Sequence, residues 1–241
     1  MSAALPFDIQ PQPDDTTCGP TCLHALYKYF GQQIDLHRLI DEVRSLDDGG
    51  TLGVFLALDA LRRGYAAKIY TYNLTMFDPA WFRKGAAPLP DKLTRQAQAK
   101  GGDKLRVATD GYLEFLERGG ELRLRDLTVR LIREHLIRSR PILTGLSATY
   151  LYHSPREFGP QCLEDDIRGD PVGHFVVLCG YDRARRQVLV ADPLLPNPLS
   201  ERHIYPVDVE RVLGAILLGA LTYDANLLII EPRGARAPKE A

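Results

Sequence analysis

The run Gln12-Pro13-Asp14-Asp15-Thr16-Thr17-Cys18-Gly19-Pro20-Thr21-Cys22-Leu23 reads as a polar, extended lead-in that turns at Gly19-Pro20 into an amphipathic helix. Leu23, Leu26, Tyr27 and Phe30 recur at helical spacing before Gly31 stops the run. Thr16 or Thr17 is placed to cap, and Pro20 falls in the first turn, where its missing N–H has no helical partner. This reading puts Cys18 on the first turn of the helix. Amides at a helix start lack intrahelical acceptors, and the dipole adds about half a positive charge there, so a thiolate is favoured over a thiol. Cys18 is therefore a candidate nucleophile.

The chain has 241 residues, 45% of them apolar and 25% charged, which is enough for one large core. A net charge of −1 leaves no electrostatic footprint for nucleic acid or an anionic membrane, and neither is expected as a partner. Met1 to Pro6 carries neither the basic nor the apolar part of a signal peptide. The longest apolar run, Val212 to Tyr223, falls far short of the ~20 residues of a spanning helix. A cytoplasmic protein is expected, with Cys18, Cys22, Cys162 and Cys179 as reduced thiols. Cys22 lies in the apolar stripe of its helix and Cys179 in a strand-like run, so both read as small core residues. Cys18 and Cys22 have the wrong spacing for a zinc knuckle and no second Cys/His pair follows, so no metal or cofactor is expected.

Beyond the first helix, Leu36, Leu39, Ile40 and Val43 predict a second one behind an Asp35 cap, and Thr51 is expected to cap a third that ends at Gly64. A strand from Ala66 to Tyr72 follows. Residues 75–126 are harder to assign, with a polar helix possible over Asp91 to Lys100, and they are expected to form an insertion or lid. Asp110 to Arg118 reads as a helix, Asp126 as the cap of another through Ile137, and Pro141 to Leu146 as a buried strand. Tyr150 to Gly173 has no periodicity and reads as a loop bordering a site. His174 to Tyr181 and Val188 to Asp192 form the clearest hairpin, with Asp182 to Arg186 as its turn. Asp208 to Leu221 predicts a helix and Asn226 to Glu231 a closing strand. Helices early and hairpins late argue for an α+β fold, one domain over residues 1–232 with a frayed tail at 233–241.

A cysteine nucleophile needs a base to take its proton and a third group to orient that base. His174 opens the first strand of the hairpin and Asp192 ends the second, just before Pro193. A carboxylate on the neighbouring strand can hold the imidazole Nδ1–H. Counting back from the turn does not set the two opposite each other, so a bulge or a curl of the strand ends is required. Singly, each has a blander reading, a surface histidine and a turn-forming aspartate. Gln12 and Gln10 are by default loop amides, but the Gln12 NH₂ group could reach Cys18 and form, with the Cys18 N–H, a two-donor hole for an oxyanion. His24, His37, His135, His153 and His203 have no comparable partners and read as surface or packing residues.

Taken together, Gln12, Cys18-Gly19, His174-Phe175-Val176-Val177 and Asp192-Pro193, with Gly50-Thr51 and Leu58 to Arg62 between, resemble the double-glycine, bacteriocin-processing cysteine peptidases and their stand-alone relatives. The resemblance covers about residues 8–72 and 140–232. It implies a papain-like fold, N-terminal helices packed on a C-terminal antiparallel sheet. It further implies Cys18 as nucleophile, His174 as general base and acid, Asp192 as orienting group and Gln12 as oxyanion-hole donor. The expected activity is cleavage of a peptide or amide bond in a peptide or protein substrate through a thioester. The same triad also serves acyl transfer or glutamine deamidation, and a peptide-binding module without catalysis is the reading from another class. The chain departs from the family at Thr17, where the transporter-borne members usually show Asp, at Thr21-Cys22, where small apolar residues are usual, and in the length of the stretch from Thr75 to Asp126. Cleavage after Gly-Gly leaders is not implied.

Overall fold

The computed structural model describes residues 3–47, 49–159 and 161–234. The chain begins with β1 (Ala3–Ala4), α1 (Cys18–Tyr29), α2 (Leu36–Glu42), α3 (Gly53–Arg62) and β2 (Tyr65–Thr71). Next come α4 (Leu89–Lys100), α5 (Asp103–Glu117), β3 (Glu121–Arg123), α6 (Val129–Leu136), β4 (Ile142–Ser147) and α7 (Ala148–Tyr152). A short hairpin, β5 (Glu157–Phe158) and β6 (Leu163–Glu164), precedes β7 (Gly173–Asp182) and β8 (Gln187–Ala191). β9 (Ile204–Asp208), α8 (Val209–Leu218) and β10 (Asn226–Pro232) close the fold.

One sheet organises the chain, in the order β3-β2-β10-β4-β7-β8-β9 with β1 added along β7. β2 and β3 run parallel, and every other pairing in this sheet is antiparallel. Its two faces bury separate cores. Leu23, Leu26 and Tyr27 of α1, Phe55 and Leu56 of α3, and Phe115 of α5 pack on one face. Leu131 and Ile132 of α6, Leu151 of α7, and Val212 and Ile216 of α8 pack on the other. The α+β class is the one expected. The sheet draws strands from the whole chain and is covered on both sides, because β4 and β7 are apolar on both faces and a strand buried on one side only would leave half of that surface wet.

Several boundaries move for local reasons. Thr51 donates to the Arg44 carbonyl (2.7 Å) instead of capping, and α3 starts one residue later, behind Leu52. Thr128, not Asp126, caps α6, its Oγ1 accepting from the Leu131 N–H (3.2 Å). The stretch read as loop after Tyr150 begins inside α7 and holds the β5–β6 hairpin. Within residues 75–126, α5 buries Leu105, Ala108, Tyr112 and Phe115, and β3 extends the sheet edge. Of the expected frayed tail, residues 235–241 lie outside the described residues. Among the described residues no helix is long and apolar enough to cross a membrane.

A buried carboxylate locks α1 to α3. Asp59 accepts from the Tyr27 hydroxyl (2.7 Å) and from Arg63 Nε (2.6 Å), and also pairs with Arg62. The Arg63 guanidinium lies 5.5 Å from the centre of the Tyr27 ring. Asp59→Ala strands the buried Tyr27 hydroxyl and leaves Arg63 with Glu42 as its carboxylate partner, and is expected to lower unfolding free energy by about 2 kcal/mol. A urea titration checks it; a midpoint unchanged at constant slope would show that the network does not hold the helices together.

Candidate active site

The lead-in reaches α1 through a turn built by Asp14. Its Oδ1 accepts from the Thr16 N–H and Oγ1 (both 2.8 Å), and its N–H donates to Thr17 Oγ1 (3.2 Å). Thr17 is the N-cap residue, but its hydroxyl is engaged with Asp14, so no side chain caps the helix. Cys18 begins α1 at the margin of the core. Four residues on, the Cys22 thiol donates to the Phe175 carbonyl (3.2 Å), pinning the helix beside the start of β7, and burial pushes that thiol far above the ordinary range.

The hairpin brings His174 and Asp192 together through a bulge. Near the turn, Tyr181 pairs with Val188 and Gly180 with Leu189, whereas Leu178 pairs with Val190, so Cys179 is the inserted residue. Continued without that insertion, the turn's register would set Asp192 opposite Val177, on the face away from His174. With it, Asp192 comes opposite Val176, two residues from His174 and on the same face. His174 Nε2 lies 2.8 Å from Asp192 Oδ1. An ionised carboxylate only accepts, so Nε2 carries the hydrogen, and it is Nε2 rather than the expected Nδ1 that the carboxylate holds. Nδ1 is left for the thiol.

Asp192 is fully buried and receives four donors. Beside His174, the Leu194 N–H reaches Oδ1 (3.0 Å), while the hydroxyls of Tyr152 (2.7 Å) and Tyr205 (2.5 Å) reach Oδ2. Burial alone would raise its acid, but the charge and hydrogen bond of His174 and the two tyrosines bring it below the usual range. His174, 6% exposed, is likewise opposed by burial but raised to about 10 by Asp192 and, secondarily, by hydrogen bonding and charge from Cys18. The ring is thus held as an imidazolium between a carboxylate and a sulfur.

Gln12 is near but engaged elsewhere. Its N–H donates to the Pro193 carbonyl (2.9 Å), its Nε2 donates to the Asp14 carbonyl (2.9 Å), and its buried Oε1 has no partner. It lines a cavity of about 390 Å³ together with Tyr152, His174, Glu157 and Glu164. A second cavity, of about 250 Å³, contains Cys18, and the two share Asp15 and Gly173 as walls.

Tyr152, Tyr205 and His203 were not legible as site residues. His203, read as surface or packing, donates through Nδ1 to the Asp192 carbonyl (2.7 Å), and its own carbonyl accepts the Asp192 N–H (2.8 Å). Tyr205 pairs with Val190, two residues before Asp192, so the alternation Ile204 to Asp208 was its available signal. His135 is buried and lowered to about 4, chiefly by burial, and belongs to the core. Cys179 is likewise buried, its thiol pushed up to about 12. Among the described residues no group of three or more His, Cys, Asp or Glu side chains could hold a metal ion.

No protein-family model matches the sequence, and no curated protein matches it. Among solved structures, the peptidase domain of Streptococcus ComA, a bi-functional ABC transporter in a quorum-sensing pathway, is similar at TM-score 0.46 and 14% identity, over 94% of this chain and 99% of that one. A double-glycine motif protease from an AMS/PCAT transporter, in complex with its leader peptide, is similar at TM-score 0.46 and 13% identity, over 96% and 99%. Xylellain, a cysteine protease from Xylella fastidiosa, is similar at TM-score 0.47 and 14% identity, over 95% and 85%.

Proposed function

We propose that the chain is a cysteine peptidase or amidohydrolase acting through Cys18, His174 and Asp192. The observation that carries this reading is the buried His174–Asp192 pair, with its ring charged beside a cysteine at the start of a helix. The Cys18 sulfur attacks a peptide or amide carbonyl, and the carbon–sulfur bond forms as the carbonyl π electrons move onto oxygen. His174 gives its Nδ1 proton to the leaving nitrogen as the C–N bond breaks, leaving a thioester on Cys18. His174, now neutral, takes a proton from water, whose oxygen attacks the thioester. The acid product and the Cys18 thiolate separate, with the imidazolium restored. Asp192, held by two tyrosines and a backbone amide, keeps the ring in the tautomer that leaves Nδ1 toward sulfur.

Gln12 supplies the oxyanion donor once its amide turns from the Asp14 carbonyl toward a bound substrate. Gln12→Ala is therefore expected to lower kcat by about a hundredfold with a smaller change in KM. Incubation of the purified protein with a defined peptide mixture tests the reading. Water-derived cleavage products, absent with Cys18→Ala, support hydrolysis. Products in which an added amine has captured the acyl group indicate transfer, and a glutamine converted to glutamate indicates deamidation. No Cys18-dependent product of any kind would overturn the enzyme reading in favour of a binding module.

A further inference from the structure

Asp224, just before β10, has no part in the chemistry above, yet the fold goes to some length to keep it where it is. It is 6% exposed, its Oδ1 is buried without a hydrogen-bond partner, and its Oδ2 meets only the Thr222 hydroxyl, at 3.2 Å. Among the described residues it has no ion-pair partner. Both neighbours, Tyr223 and Ala225, sit at positive φ (70° and 58°), a conformation that side-chain-bearing residues rarely adopt. Two adjacent strands also leave room for the carboxyl by carrying glycine. A Cβ on Gly145 would stand 2.7 Å from Asp224 Oδ1, and one on Gly173 would stand 2.9 Å from Oδ2. A buried carboxyl oxygen without a donor is destabilising, and strained flanking residues add to that cost.

Asp224 lines the 250 Å³ cavity that also contains Cys18, Gly173, the residue before His174, and Phe175, the residue after it. It lies on the α1 side of the sheet, while Asp192 and its tyrosines lie on the other side. One cation borders the cavity. Lys104 rests its ammonium 5.2 Å from the centre of the Tyr223 ring and is exposed.

We propose that this cavity is a substrate subsite beside the nucleophile and that Asp224 is its specificity-determining residue, selecting a lysine or arginine side chain. The assignment rests on the peptidase reading of Cys18 and adds the class of residue recognised. Burial raises the Asp224 acid to about 7, with Thr222, Lys104 and His174 opposing, so a cation entering near neutral pH meets a group ready to give up its proton. A long basic side chain brings its charge into the cavity beside the carboxyl and donates to it once that carboxyl turns from Gly145, where Oδ1 is shielded.

Irreversible peptidyl acyloxymethyl ketones test this. They alkylate the sulfur in a single covalent step with loss of the carboxylate. A set carries lysine, arginine, norleucine or glutamate in turn at each of the three positions nearest the ketone, and the rate of Cys18 labelling is read by intact mass and peptide mapping. Lysine or arginine at one position is expected to label roughly tenfold or more faster than norleucine. In Asp224→Asn that ratio is expected to fall to near one. Should that variant fail to fold, Lys104→Gln, a change at an exposed position, is expected to raise the ratio by removing the competing cation. A ratio near one at every position of the wild type, or one unchanged in both variants, would overturn the assignment. Labelling of Cys18 by iodoacetamide but by no peptidyl probe would instead withdraw the peptidase reading, and the subsite with it.

Discussion

In His174→Ala, alkylation of Cys18 by iodoacetamide at pH 6 is expected to slow by roughly a hundredfold relative to wild type, and turnover of a substrate to fall by about 10⁶-fold. An ordinary thiol, with a pKa of ~8.5, holds well under about 1% thiolate at pH 6. A ring that stays charged to about 10 keeps its positive charge beside the sulfur throughout that range. The experiment carries its own reference, because Cys162 is exposed and its thiol is raised, chiefly by a hydrogen bond to Glu157, while Cys22 and Cys179 are buried. The variant should still fold, since Asp192 keeps the two tyrosine hydroxyls and the Leu194 amide. Wild-type Cys18 that followed the Cys162 pH profile would show that the pair is not poised for chemistry.

The same pair is expected to write a pH dependence into stability. His174 rises from an ordinary 6.5 to about 10 on folding, so the stability it contributes is fully present below about pH 6.5 and is lost as pH rises through about 10. Asp192 moves down from 3.8, so its contribution is present above that value and is lost as acid protonates it in the folded state. The pair therefore stabilises most between about pH 4 and 6.5, by an amount on the order of 5 kcal/mol for His174 at 1.36 kcal/mol per unit. Urea unfolding of wild type and His174→Gln at pH 6 and pH 10 measures it, and the difference between the two proteins should shrink by several kcal/mol at the higher pH. Asp224, raised to about 7, destabilises the fold increasingly from about pH 4 to 7 and by a constant amount above that, equally in both proteins, so it largely drops out of the difference. A difference that stays constant with pH would mean that the ring is neutral in the native protein.

The first helix, the Asp35 cap and the β7–β8 hairpin were readable because each rests on signals within about a dozen residues: apolar spacing, a capping oxygen, a turn between two apolar runs. The triad candidates were readable for the same reason, as residue types at element ends. What failed was whatever depended on a partner. Thr51 looked like a cap until Arg44 offered its carbonyl, and His203, readable only as surface or packing, gained its contact with the Asp192 backbone from the pairing of β8 with β9.

By itself the sequence determined that Cys18 starts a helix and that His174 and Asp192 end two strands of one hairpin. Helical and strand periodicity are local and survive any choice of tertiary partner. Only the tertiary structure decided that Asp192 faces His174, because one inserted residue, Cys179, reverses which face the second strand presents. It also decided that Tyr152 and Tyr205 converge on Asp192 and that Asp224 is buried over Gly145 and Gly173, on the wall of the cavity that Cys18 lines. The two tyrosines lie 13 and 40 positions from Asp192 along the chain, and such meetings depend on strand order and burial, which no short window of sequence encodes.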